Sequence, residues 1–183
     1  MTEEVVRTAA GDAQFLAEIV EFRRAAYLRC GRDPAHQDSW ITDRYDADAV
    51  HFGLYEAGVL QATARMVLDG RWPIEDRYPL AVDKSRGAEW GRLCVRQRYV
   101  QRRRVLFVLL TEVCRYAVSV DRPHVYGLLF APLRRAFERD GIPLDVLSAG
   151  IKASGAESNV VHCDARQLLE LSPTSCDRPA CAG

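Results

Sequence analysis

A chain of 183 residues is long enough for one domain that buries a core without disulfide support. Its 25 lysines and arginines balance 25 acids, so no overall field draws it to nucleic acid or to a membrane surface. No signal peptide is read, and no apolar run approaches the roughly 20 residues that cross a bilayer.

The six cysteines, Cys30, Cys94, Cys114, Cys163, Cys176 and Cys181, form no C-x-x-C pair and no metal-ligand spacing with the 4 histidines. Cys94 and Cys114 fall in apolar patterns, where a thiol acts as a small hydrophobe. No metal site is expected, and a reducing cytoplasm fits this usage. Lys84 and Lys152 are the only lysines. A GC-rich genome accounts for the general arginine excess but not for the cluster between Arg96 and Arg104.

In chain order, Val5 to Thr8 predicts a short strand. Gly11-Asp12 offers a helix cap, and Phe15, Ile19, Phe22 and Ala26 recur at helical spacing up to Gly31. Residues 32–48 predict a loop or broken helix. Val50 to Tyr55, the turn Glu56-Ala57-Gly58, and Val59 to Leu68 read as a β-hairpin. A second irregular stretch leads to a strand at 89–95, followed by an arginine-rich loop and a helix from Val105 to Val120. His124 to Phe130 predicts a strand, Ala131-Pro132 opens a helix that stops at Asp140-Gly141, and Leu144 to Ala149 predicts a last strand. Residues 172–183 read as a disordered tail behind one domain spanning 1–171. The class is α/β of the α+β kind, because two adjacent hairpin strands exclude a purely doubly wound sheet.

Several charged residues fall inside apolar elements, where burial is costly unless the charge is paired. Arg23 lies among Phe22, Ala26 and Tyr27; Arg65 alternates with Ala64 and Met66; Glu89 and Arg92 share the strand at 89–95; Asp43 and Asp46 flank Tyr45. One such residue alone reads as a solvated face. Three arginines and three acids together predict an interior ion network. In a regular strand Glu89 and Arg92 face opposite sides, and a bulge at Gly91 would bring them to one side.

The series Arg23-x-x-x-Tyr27, Asp43-Arg-Tyr45-Asp46, Arg65 on a hairpin strand, and Glu89-x-Gly91-Arg92 resembles the LuxI-type acyl-homoserine-lactone synthases. It equally resembles their relatives, the N-acyl amino acid synthases, both within the GNAT acyltransferase fold. The pattern covers roughly residues 15–150. The resemblance implies a mixed, mostly antiparallel twisted sheet flanked by helices, and transfer of a fatty acyl group from a thioester to an amine. It implies Glu89 as general base with Arg92 beside it, and Arg23, Tyr27, Asp43, Asp46 and Arg65 as the acceptor pocket and its ion network. The residue types suit that chemistry, since a carboxylate can deprotonate an ammonium that is otherwise unreactive at neutral pH.

Two departures shape the expectation. The autoinducer branch carries a tryptophan shortly after the Tyr27 position, whereas Leu28 to Asp33 contains none. This favours an amino acid or related amine as acceptor over S-adenosylmethionine. Coenzyme A-dependent relatives carry Q/R-x-x-G-x-G/A in the donor loop; the aligned Gln101-Arg102-Arg103-Arg104-Val105-Leu106 keeps the first position and lacks both glycines. An acidic acyl carrier protein therefore suits the donor-binding residues Val95, Gln101, Arg102, Arg103 and Arg104 better than coenzyme A. Either donor is a co-substrate, and no permanently bound cofactor is expected. Val105 to Leu110 and Val125 to Phe130 are candidates to line an acyl channel, or are ordinary core. The rival reading is a non-catalytic module whose arginines dock an acidic partner.

Overall fold

The hairpin read at 50–68 forms the middle of the sheet in the computed structural model, which describes residues 4–29, 41–96, 99–148, 150–153 and 156–171. Its strands β2 (Val50–Glu56) and β3 (Val59–Val67) are joined by Ala57 and Gly58. Both turn residues take positive φ, 50° and 75°, the two-residue geometry whose twist matches the strands it joins. Strand β1 (Glu4–Ala10) pairs antiparallel with β2, and β4 (Gly87–Val95) pairs antiparallel with β3. Strand β5 (His124–Phe130) then runs parallel to β4. Beyond it, β6 (Asp145–Val146) and β7 (Ile151–Ala153) both pair with β8 (Ala156–Asp164), giving the order β1-β2-β3-β4-β5-β8-β6. The sheet is mixed and mostly antiparallel, as expected.

Alternation along the strands sorts side chains onto two faces. On one, Phe52, Leu54, Ala64, Met66, Ala88 and Trp90 pack with helix α2 (Tyr99–Ser119) through Leu109, Leu110 and Val113. Helices α3 (Ala131–Arg139) and α4 (Ala165–Glu170) add Phe137 and Leu168 to that layer. The other face receives α1 (Ala13–Arg29), which buries Phe15, Ile19, Phe22, Arg23 and Ala26. The irregular segment after β3 completes it, with Trp72 and Ile74 against Tyr126 and Val67. Asp12 caps α1 by accepting the Phe15 N–H at 2.9 Å.

Three expectations need correction. Helix α2 begins at Tyr99, so most of the arginine-rich stretch forms helical turns rather than a loop. The strand read at Leu144 to Ala149 is confined to Asp145–Val146. Strand β8 and helix α4 were not anticipated at all. Strand β8 buries Ser158 and Asn159 beside Val160 and Val161, so it shows no clean alternation. The tail at 172–183 lies outside the described residues, as does the Leu28 to Asp33 region beyond Arg29.

One feature positions the site. Pairing of β4 with β5 runs only from Gly87–His124 to Trp90–Gly127. After that β4 stays with β3 and β5 stays with β8, so the two strands part and leave a notch between them.

Candidate active site

The turn after residue 42 is folded by its own carboxylates. Asp43 accepts the Tyr45 N–H and Asp46 accepts the Asp43 N–H, each at 2.9 Å; these are the local bonds that make aspartate a turn former. Each carboxylate still has lone pairs directed at the sheet. Asp43 Oδ1 accepts from Arg65 Nη1 at 2.6 Å, and its Oδ2 pairs with Arg92. Asp46 Oδ1 accepts from Arg65 Nη1 at 3.0 Å and from Arg23 Nη1 at 2.9 Å. The result is an alternating line, Arg92–Asp43–Arg65–Asp46–Arg23, that joins α1, the turn, β3 and β4.

Its members are deeply enclosed. The side chains of Arg23, Asp46 and Arg65 keep 0%, 2% and 3% of their exposure, while Arg92 and Asp43 keep 15% each. Burial alone would raise the Asp46 pKa, but Arg23 and Arg65 overcome it and hold the carboxyl far below its usual range. Asp43 is likewise lowered by Arg65 and Arg92 against the cost of burial. Burial lowers His51, which closes the line. Its Nε2 lies 2.8 Å from the Asp46 carbonyl oxygen and its Nδ1 lies 3.4 Å from Arg23 Nη2. A neutral ring with the proton on Nε2 satisfies both contacts.

Strand β4 reaches this network through an irregularity. Arg65 pairs with Gly91 and Thr63 pairs with Cys94, which sets Arg92 and Leu93 against Ala64 alone. This two-against-one arrangement is a β-bulge. Arg92 sits in it at φ 54°, a conformation that costs a non-glycine residue about 1–2 kcal/mol. The bulge turns Arg92 onto the face of Arg65, where both meet Asp43. The expected bulge is therefore present one residue later than Gly91.

Glu89 stands three residues before Arg92, paired with Val67 on one side and Tyr126 on the other. Its Oε2 accepts the Ile74 N–H at 2.8 Å. Burial nevertheless pushes its pKa up to about 8, opposed by that hydrogen bond and by Arg65 and Arg92. Ile74 belongs to a short turn, Pro73–Asp76, tied to the acidic turn from outside. The Tyr45 hydroxyl donates to Asp76 at 2.8 Å, and Arg44 and Arg71 each reach Asp76 at 2.9 Å. Tyr27 lies within reach of Arg92 and Arg23, its hydroxyl against Cys94 and its pKa raised by burial.

The two residues expected to be catalytic, Glu89 and Arg92, and the five expected at the acceptor side thus gather on one face of the sheet. The donor-side residues are more scattered. Val95 ends β4 and is partly buried, and Arg104 is exposed near the start of α2. Gln101, Arg102 and Arg103 belong to the same helix, and their side chains lie outside the described residues. The candidate channel residues Val105, Leu109, Leu110, Val125 and Leu129 are packed core. His51, Ile74 and Asp76 were not anticipated. His51 offered the one available signal, a histidine within the buried alternation of a hairpin strand.

Comparison with known proteins bears on the family and the fold. The sequence model of the family described as N-acyl amino acid synthase FeeM matches residues 18–130, more than half of the chain. No curated protein matches the sequence. Among solved structures, the AHL synthase LasI superposes with a TM-score of 0.75 at 13% identity, covering 90% of this chain and 91% of LasI. FeeM, an N-acyl amino acid synthase from uncultured soil microbes, superposes with a TM-score of 0.69 at 15% identity, covering 98% of this chain and 100% of that one. BjaI, a CoA-dependent acyl-homoserine lactone synthase solved with SAM and isopentyl-CoA, gives 0.67 at 16% identity over 92% of this chain and 87% of its own. The fold is that of the GNAT-like acyltransferases.

Proposed function

The chain belongs to the N-acyl amino acid synthase FeeM family, an acyltransferase family, and on that premise we propose that it moves a fatty acyl group from a thioester to the amine of an amino acid, with Glu89 as general base. The observation that carries this reading is the Glu89 carboxyl itself. It is buried at the neck of the notch, faces Arg65, Arg92 and Asp43, and is pushed up to about 8. A carboxyl in that range gives and takes protons near neutral pH, as a general base must.

An amine attacks a thioester only as the free base, and an α-amino group is largely protonated at pH 7. Ionised Glu89 removes one proton from the ammonium. The nitrogen lone pair then forms the C–N bond while the C–S bond breaks. The second proton lost from nitrogen leaves on the thiol, and Glu89 returns its own to water. Backbone N–H groups at the Arg92–Leu93 bulge would stabilise the carbonyl oxyanion. Arg92 is the most exposed guanidinium of the network, which supports it as the group that would hold an acceptor carboxylate.

For the donor, Arg104 and Leu106 occupy the positions where coenzyme A-binding relatives have glycines, and the start of α2 is rich in arginine. Both features favour an acyl carrier protein. The test is incubation with acyl carrier protein thioesters or acyl-coenzyme A and a panel of amino acids, read by mass spectrometry. An S-adenosylmethionine arm covers the second reading, homoserine-lactone formation, which the shared fold makes the nearest alternative. Amide formation that Glu89→Gln abolishes supports the proposal. No amide with any pairing would favour a module that only binds an acidic carrier protein.

A further inference from the structure

Trp90 follows Glu89 and points the other way, into the layer between the sheet and α2. It forms the last pair of β4 with β5, opposite Gly127, where the two strands part. Its indole lies flat over that glycine: a Cβ at Gly127 would stand 2.4 Å from Nε1 and 2.9 Å from two ring carbons. The ring system also stacks on Phe137 at 6.2 Å between centroids and 19° between planes. Nε1 is buried and has no hydrogen-bond partner among the described residues. The indole is therefore held by shape, at the expense of a polar group left unpaired. Against it lies a small apolar cavity of about 10 Å³, lined by Trp90, Leu110, Val113, Val125, Phe137 and Leu168 among others.

Resting on the acyl-transfer reading above, we infer that Trp90 is the residue that sets acyl chain length. A thioester carbonyl at Glu89 sends its chain through the notch toward the α2 layer, and the first obstacle there is the indole. The chain stops against the ring, and the cavity behind it stays empty. The preferred donors are therefore short to medium acyl chains. Fit in an apolar pocket is sharply graded, since one methylene is worth about 10–200-fold in specificity.

Trp90→Ala joins the notch to the cavity, and Trp90→Phe, which keeps the fold-supporting ring, does so in part. Wild type and both variants are compared with hexanoyl, octanoyl and tetradecanoyl thioesters. Binding of the unreactive thioether analogues is measured alongside turnover. The tetradecanoyl-to-octanoyl ratio of kcat/KM should rise by about tenfold or more in Trp90→Ala and by less in Trp90→Phe, with thioether affinities following. An unchanged ranking in Trp90→Phe, with wild type active, overturns the inference alone. Amide formation from none of the donors by wild type overturns the acyl-transfer reading instead, and the thioether ranking still decides the role of Trp90.

Discussion

The Glu89 carboxyl accepts the amide proton of Ile74 at 2.8 Å, yet its pKa is pushed up to about 8. A hydrogen bond from a backbone N–H favours the charged form; here burial outweighs it. The group is consequently protonated in the resting protein at pH 7 and becomes a base as pH rises. The expected profile of kcat/KM climbs through about pH 8 and levels above it. A profile already flat from pH 6 would place the base elsewhere. Glu89→Gln should lower turnover by about 10²–10⁴-fold, the range of general-base contributions, with circular dichroism unchanged.

The same residue predicts a stability effect of definite sign. An unfolded glutamate ionises near 4.3, so between that value and about pH 8 the folded state holds a proton that the unfolded state has released. Stability contributed by this group is present at low pH and is lost as pH rises through that window. Glu89→Gln removes the penalty. It should stabilise the protein by an amount on the order of 3 kcal/mol at pH 7, and by almost nothing at pH 4, as read by denaturant unfolding at the two pH values. Greater stability of the wild type at pH 7 would contradict the burial argument.

Asp46 behaves in the opposite way. It is the shared anion of Arg23 and Arg65, whose side chains keep 0% and 3% exposure. Asp46→Ala leaves enclosed Arg23 without a carboxylate partner among the described residues and leaves Arg65 with Asp43 alone, and breaking a buried pair from one side costs about 3–5 kcal/mol. Arg92→Ala, at the more open end of the line, should cost less. Because the Asp46 carboxyl is held below its ordinary value, its contribution is full above pH 4 and is lost as pH falls through its folded-state pKa. Thermal unfolding of both variants checks the ranking, and an acid titration of the wild type checks the sign.

How much of this was written in the sequence follows from which signals are local. Charges inside apolar patterns marked Arg23, Arg65, Glu89 and Arg92, because a buried charge demands partners and the partners had to be the remaining acids. The hairpin was legible because Ala57-Gly58 sits between two alternating runs. The helical start at Tyr99 was not, since a run of arginines carries no apolar period over its first turn. Strand β8 was hidden for a related reason. Asn159 donates to the Ser148 carbonyl at 3.2 Å and Ser148 accepts the Val160 N–H at 2.9 Å, so polar residues that read as loop are buried where a loop docks on the strand. Ile74 acts through its backbone, which no side-chain pattern can announce.

Arg92 allows strain to be separated from pairing. Its φ of 54° costs any L-residue with a Cβ, and its guanidinium pairs with Asp43. Arg92→Ala loses the pair and keeps the strain; Arg92→Gly loses the pair and relieves the strain. Glycine normally destabilises a strand by roughly 0.5–1 kcal/mol relative to alanine. At this position the order should reverse, with Arg92→Gly the more stable by about 1 kcal/mol. Equal or lower stability of the glycine variant in urea unfolding would show that the bulge is not strained there.

Gly127 tests the packing at the notch independently of activity. A methyl group there falls 2.4 Å from Trp90 Nε1, and the indole is confined by burial in the core and by its stack with Phe137. Gly127→Ala should therefore destabilise by about 1–3 kcal/mol, the usual cost of overpacking. Replacing the indole with the smaller Trp90→Leu should recover part of that loss in the double variant. The two substitutions would then couple by about 0.5–3 kcal/mol, as contacting residues do. Additive effects in the cycle would mean that the indole does not rest on Gly127 in solution, and the notch would then have no floor at that point.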